Sequence, residues 1–364
     1  MAAPAAAAID LCEGHSLADL DGGWQNKKRL RLAFSAASAT ISCTQRRVAV
    51  STTAPETARR QGWRQPCMKI RHDTERAMTL HDAQLATLTA APLTGAPRMQ
   101  RARGAVRLRL IADERGTSAF EAYQFGSAKV KFPRVEAGEA FEATIINTAG
   151  GITGGDHFSW EVTAEAGASA TVSGQAAERI YKRSAGVAHI DTRLTIGDGA
   201  TLAWLPQETI VFDRSALKRT LTADVHANGR LIAAEAVVLG RAAMGETARN
   251  VSFFDAWRVR RDGKLVFADG LRLDGDTTTT LAGGAMAAGA TAMATVILVG
   301  TDAGARIEAA RAAVADAAGE AGVSAWNGIL TARLIAPDGQ RLRADLTRLI
   351  VALRQANMPR VWNC

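Results

Sequence analysis

From Arg98 onward the chain is a succession of short runs that alternate apolar and polar residues, cut at close intervals by turn signals. Arg101–Ala112 alternates around Val106, Leu108 and Leu110. Further runs of this kind are Ala140–Asn147, His157–Ala164, Ser169–Val172, Ala188–Ile196, Thr201–Leu205, Lys218–Val225, Leu231–Leu239, Ala256–Val259, Lys264–Phe267 and Thr291–Val299. A period of two places alternate side chains on opposite faces, the mark of a strand with one buried face. Gly197-Asp198-Gly199, Asn228-Gly229 and Asp262-Gly263 lie between runs. Asn-Gly and Asp-Gly favour hairpins because both central residues tolerate positive φ. So many short strands predict a body that is mainly β. Lys129–Pro133, apolar and basic by turns, reads as an edge strand. Two α-helices are predicted in the C-terminal part. Ala303–Gly319 gathers Ile307, Ala310, Ala313, Val314 and Ala317 on one face, and Asp345–Ala356 gathers Leu346, Leu349, Ile350 and Leu353. Asn357 and Pro359 stop the second. No repeat of fixed length is visible.

Residues 1–77 read differently. They are rich in Ala, Arg, Ser and Thr and keep no period of 2 or 3.6. The sequence predicts a disordered extension there, or a start placed too far upstream, with Met68 and Met78 as alternative starts. Residues 78–97 read as a linker and 98–364 as one β domain. The net charge of +8 divides into +5 on residues 1–77 and +3 on the rest, without a block of like charges. The body therefore needs no nucleic-acid partner. No apolar run reaches the roughly 18 residues of a membrane helix. Cys12, Cys43 and Cys67 precede the body and Cys364 ends the chain, so the presumed core holds no cysteine. That pattern fits a reducing, cytoplasmic compartment.

Asn147–Asp156 is the most unusual local stretch: two Gly-Gly pairs bracket Ile152-Thr153 and an acid closes the run. Glycines turn the backbone where other residues would be strained and let another surface approach the main chain. Its plain reading is a glycine-rich strand connection. Neither Gly-Lys-Ser/Thr nor Gly-x-Gly-x-x-Gly is present, which disfavours phosphate or dinucleotide binding. His157, His189 and His226 are far apart, with no His-x-x-x-His, so no strong zinc or nickel cage is visible. A Gly-x-Ser-x-Gly elbow and a body cysteine are both missing, which leaves no hydrolase nucleophile.

What remains is a set of acids in apolar surroundings. Asp156 sits on the glycine turn. Glu208 lies in Trp204–Ser215, Glu235 interrupts Leu231–Leu239, Glu246 ends Leu239–Glu246, and Asp269 follows Leu265–Ala268. Such a carboxylate is costly unless it is paired, hydrated or on a cation. Each taken alone reads as an ion pair, with Arg214, Arg241, Arg249 and Arg258 as candidate partners. Together they suggest a polar passage through a β body. Paired carboxylates also allow a second reading, a carbohydrate-active β-helix enzyme. The scarcity of aromatic residues counts against sugar platforms.

The motifs Asn147–Asp156, Gln175–Ser184, Trp204–Ser215 and Leu239–Glu246, in that order, resemble the urease accessory protein UreD family, called UreH in some organisms. Leu265–Asp269, the arginine-rich C-terminal helix and Pro359-Arg360-Val361-Trp362 add to the likeness. The resemblance covers about residues 98–364. It departs at Glu178, where the family often has a small hydroxyl residue. It implies a β-helix-like fold of stacked sheets and a nickel-insertion chaperone rather than an enzyme. The implied partners are apo-urease, UreF and the GTPase UreG. No cofactor is permanently bound and Ni²⁺ is in transit. Asp156, Glu208, Glu235, Glu246 and Asp269 are then expected to line the nickel passage or flank its mouths. Arg348, Arg354, Arg360 and Trp362 are expected on the surface that meets UreF.

Overall fold

The computed structural model describes residues 100–135 and 139–363. The extension 1–77 and the linker 78–97, with both alternative start residues, lie outside the described residues. A hairpin of β1 (Arg103–Asp113) and β2 (Gly116–Gly126) opens the body, followed by β3 (Ala128–Lys131) and β4 (Phe141–Asn147). The chain then winds in coils. The first holds β5 (His157–Ala164), β6 (Ser169–Gly174) and β7 (Glu178–Ile180). The second holds β8 (Ala188–Ile196), β9 (Thr201–Leu205) and β10 (Thr209–Val211), and the third β11 (Ala216–Val225) and β12 (Arg230–Leu239). The hairpin of β13 (Asn250–Arg261) and β14 (Lys264–Asp276) leads through a short helix, α1 (Thr277–Ala282), to β15 (Ala292–Val299). The rest is α2 (Ile307–Ala313), β16 (Glu320–Trp326), β17 (Ile329–Ala336) and α3 (Gly339–Arg354).

Each coil gives one strand to each of two sheets. β5, β8, β11 and β13 stack in parallel in the first, which runs β14-β13-β11-β8-β5-β1-β2. β4, β6, β9 and β12 stack in parallel in the second, which runs β16-β17-β15-β12-β9-β6-β4-β3. This is the β-helix-like arrangement of stacked sheets that the sequence predicts. Stacking in register superposes the inward positions, so Phe158, Ile190, Arg219 and Asp255 form one row. The coils begin at His157, Ala188, Ala216 and Asn250. Their unequal lengths are why no repeat of fixed length is legible.

The main core lies between the sheets and includes Val106, Phe158, Leu194, Leu202, Leu231 and Phe253. A second apolar layer covers the outer face of the second sheet. There Ala203, Leu205, Ile232 and Val296 pack with Leu342, Leu346, Leu349, Ile350 and Leu353 of α3 and with Trp362. The apolar stripe of α3 is thus core. This helix starts at Gly339, ahead of the predicted Asp345, because the Asp338 carboxylate caps it by accepting from the Arg341 amide at 2.9 Å.

Of the three turn signals, only Asp262-Gly263 makes a hairpin, with φ of 53° and 74°. Gly197–Gly199 and Asn228-Gly229 instead turn corners from one sheet to the other, β8 to β9 and β11 to β12. Their local chemistry is that of a tight turn, but parallel stacking gives the next strand to the opposite sheet. Ala128–Lys131 lies at the edge of the second sheet, as Lys129–Pro133 predicts.

Candidate functional site

The second sheet is split in its first two coils. β12 runs unbroken, pairing with β9 along Arg230–Ala233 and with β10 along Val237–Leu239. In the earlier coils the chain leaves the sheet at Gln175–Ala177 and again at Pro206–Glu208, then re-enters as β7 and β10, which pair with each other. The first-coil loop continues the split, with Ile152 bridging Ile180. Proline at 206 suits a bulged strand, having no N–H to offer the ladder. Backbone groups freed by the split find other partners, as buried polar groups must. The Gln175 amide donates to Ile145 and the Glu178 amide to Glu208. The Gln207 side-chain amide donates to the carbonyls of Gly174, Gln175 and Val361 at 3.3, 3.0 and 2.8 Å.

A cavity of about 270 Å³ opens at this split. Its rim is Asn147, Gly150 and Gln175–Arg179, and it reaches inward past Trp160 and Trp204 to Thr209, Arg219 and Glu235. Three of the four motifs that carry the family resemblance therefore meet at one opening.

At the cavity floor lies a buried charge cluster. Arg219 is 3 % exposed and holds two carboxylates. Its Nη1 donates to Glu235 at 2.5 Å and to the Thr209 hydroxyl at 2.9 Å. Its Nη2 and Nε donate to Asp255 at 2.6 and 3.2 Å. The Trp204 indole donates to the other oxygen of Glu235 at 3.1 Å. Burial works against the Arg219 charge, but Asp255 and Glu235 outweigh it and hold the guanidinium above its ordinary pKa. Burial raises Glu235, Arg219 opposes, and the Asp255 charge adds to the rise. One cation shared between two carboxylates leaves the cluster one negative charge.

At the rim, burial pushes the Glu178 carboxyl up to about 7, against a hydrogen bond from Asn147. The Asn147 amide faces both carboxylate oxygens, at 3.1 and 3.3 Å.

Of the predicted acids, Glu235 lines this cavity. The other four are placed elsewhere, each with a partner. Asp156, 4 % exposed, accepts from the backbone amides of Ala102 and Thr153, both at 2.8 Å, and so ties the glycine loop to the start of β1. The loop is held closely on its other side too, since a Cβ on Gly154 would stand 2.3 Å from the Ala185 carbonyl oxygen. Glu208 pairs with Arg343 at 2.7 Å, Glu246 with Arg241, and Asp269 with Arg333. The expected partner of Glu246 is thus found, whereas Glu208, Glu235 and Asp269 use arginines other than the candidates. Asp269, on β14, still faces inward with Arg333, which shares a register row with Thr295 and Glu235 on the second sheet.

Of the residues expected on a partner surface, Trp362 is covered. It is 5 % exposed, its indole donates to the Leu205 carbonyl at 3.1 Å, and Arg343 stacks 4.7 Å from its ring. Its side chain fills the outer core layer, which corrects its expected role as a surface contact. Arg354 donates to the Thr171 hydroxyl and the Asn357 carbonyl. Arg348 pairs with Asp345 but is half exposed, and Arg360 is exposed.

Arg219 and Asp255 escape a reading of single runs, yet a signal exists. Both stand at inward parity, between Leu217 and Leu221 and between Phe253 and Trp257. Glu235 holds the same parity on β12. Three charges at inward register on successive long strands mark a buried ionic cluster.

Fold and cavity together define a β-solenoid with a polar opening into its interior. The chain belongs to the UreD urease accessory protein family, whose model matches residues 102–363. A urease accessory protein UreD of Azorhizobium caulinodans is 44 % identical over 270 residues, 74 % of this chain and 99 % of the relative. One from Rhizobium leguminosarum bv. trifolii is 46 % identical over 73 % of this chain and 97 % of its own length. One from Xanthobacter autotrophicus is 45 % identical over 72 % and 90 %.

Proposed function

We propose that the protein binds apo-urease and, with UreF and the GTPase UreG, delivers Ni²⁺ to the urease active site in the cytoplasm. Nickel is the cargo, and no permanently bound cofactor is part of this reading. The observation that carries it is the cavity. A water-filled recess at a split in the sheet leads from the surface to Glu235 and its partners. Hydration and fixed carboxylates lower the cost of moving a dication through a low-dielectric body. Among the described residues, no group of three His, Cys, Asp or Glu is placed to hold a metal. Oxygen donors hold Ni²⁺ less tightly than imidazole or thiolate, which suits transfer. The inward row Glu235, Thr295, Arg333, closed by Asp269, extends the polar interior toward the far strands. Arg348 and Arg360 are our candidates for contacts with UreF.

One observation favours a scaffold that only positions the partners: all five predicted acids are held by an arginine or by backbone amides. Two variants separate the readings. Ala177→Phe fills the cavity rim without touching the charge cluster, and Glu235→Gln removes one charge within it. Passage predicts that both assemble with urease yet lower the nickel per urease active site. Normal nickel loading by the assembled variants refutes passage.

A further inference from the structure

The acids around the cavity differ in one respect. Glu235, Asp255 and Glu208 each hold a guanidinium. Glu178 forms no ion pair among the described residues. Its carboxylate meets the neutral Asn147 amide and the backbone N–H of Arg179, while the Arg179 side chain is exposed. It stands in the cavity wall between the Asn147 and Gln175–Ala177 segments, with Ile145, Trp160 and Ile190 among the apolar lining. An ionised carboxylate in such a place calls for a cation. Deeper in, the Arg219 cluster carries one net negative charge. Ionised Glu178 makes two, which complements a dication. The lining contributes oxygen and amide donors rather than sulfur or imidazole, a set suited to a weakly held, largely hydrated divalent metal.

We propose that Glu178 is a capture ligand for a divalent metal cation at the cavity mouth, with Asn147 orienting its carboxylate. The identity of the cation as nickel rests on the passage reading; the existence of the site does not. A single carboxylate backed by water retains a cation loosely. That lets the site collect ions and release them inward. Asn147, which opens the glycine run, also donates to the Gly151 carbonyl at 3.3 Å, so the same side chain links the loop to the ligand.

The test uses the full chain and Ni²⁺ alone. His157 and His189, 5.9 Å apart on the outer face beside Asp191, are an obvious adventitious site, so all proteins carry His157→Gln and His189→Gln. Ni²⁺ is titrated by equilibrium dialysis, and its paramagnetic broadening of the Trp160 and Trp204 indole N–H signals locates the bound ion. We expect saturable binding that broadens both indoles. Glu178→Gln and the shorter Glu178→Ser should each weaken binding about tenfold, which corresponds to about 1.4 kcal/mol, and abolish the broadening. Absence of binding, broadening that avoids these indoles, or affinity unchanged in both folded variants overturns the site. Failure of the two readings is separable. Ni²⁺ capture that depends on Glu178 alongside normal urease loading by Glu235→Gln refutes passage and leaves the site. Capture indifferent to Glu178 alongside impaired loading refutes the site and leaves passage.

Discussion

Replacing Glu178 by glutamine should make the protein more stable in mildly alkaline solution and leave it little changed in acid. In the folded chain burial holds this carboxyl near 7, against about 4.5 when exposed. Below about pH 4.5 both states are protonated and Glu178 contributes no pH dependence. Between 4.5 and 7 the unfolded chain loses its proton while the folded chain keeps it. The folded state then binds more protons, so stability falls as pH rises. Above about 7 both are ionised and the cost of burying the charge is fully present. A displacement of this size corresponds to at most about 3 kcal/mol. Glu178 is only partly buried, and water at the cavity mouth screens it, so we expect about 1–2 kcal/mol. Glutamine keeps the shape and an oxygen to accept from Asn147, but carries no charge at any pH. Urea unfolding followed by tryptophan fluorescence at pH 5, 6, 7 and 8 gives both profiles. Other titrating groups are common to the two proteins and cancel in the difference. The variant should gain relative to the parent as pH rises from 5 to 8. Parallel profiles would refute the claim that Glu178 is a buried carboxyl without a compensating cation.

Three further outcomes follow from the packing. Arg219→Met strands Glu235 and Asp255 without their cation and should destabilise the protein by about 3–5 kcal/mol, read as a lower urea midpoint. Trp362→Ala removes a covered indole from the outer core and should cost about 3–5 kcal/mol, so that any loss of UreF binding tracks loss of stability. Asp156→Asn loses the charge on two backbone hydrogen bonds and should cost about 1–3 kcal/mol, detectable in the same unfolding assay.

Much of the architecture was legible because inward and outward positions alternate. His157–Ala164, Ala188–Ile196 and Thr201–Leu205 were read with the boundaries they have. Gly116–Gly126 was missed because, as an edge strand, it keeps only Ala122 fully buried and so shows little alternation. Asn228-Gly229 was misread because a tight turn and a coil corner use the same residues. What distinguishes them is where the following strand pairs, and that is a long-range fact. The same holds for the site. Glu235 announced itself by breaking an apolar run. Arg219, flanked by Lys218 and Thr220, looked like part of a polar stretch, although its neighbours face outward. Glu208 and Asp269 were seen, but their partners Arg343 and Arg333 lie far along the chain and are brought near only by the winding of the sheets.

The split in the second sheet ties the motifs to the cavity. A continuous strand, as in β12, keeps every ladder bond and closes the interior. The first two coils give up that continuity at Gln175–Ala177 and Pro206–Glu208, and Gln207 must then satisfy three carbonyls, one from the C-terminal segment. Arg343 braces the same place, donating to Gln207, Glu208 and the Trp362 carbonyl. A solenoid that needed only a stable body would gain by healing the split. Instead, side chains from three motifs and the chain's last helix hold it open, and the opening leads to the most heavily charged part of the interior. This concentration of costly features at one place is what local inconsistency between folding rules and structure signals when a site is functional. It also explains why the C-terminal segment, read from sequence as a partner surface, is bound into the rim: its backbone supplies the acceptors that keep Gln207 and Arg343 in place.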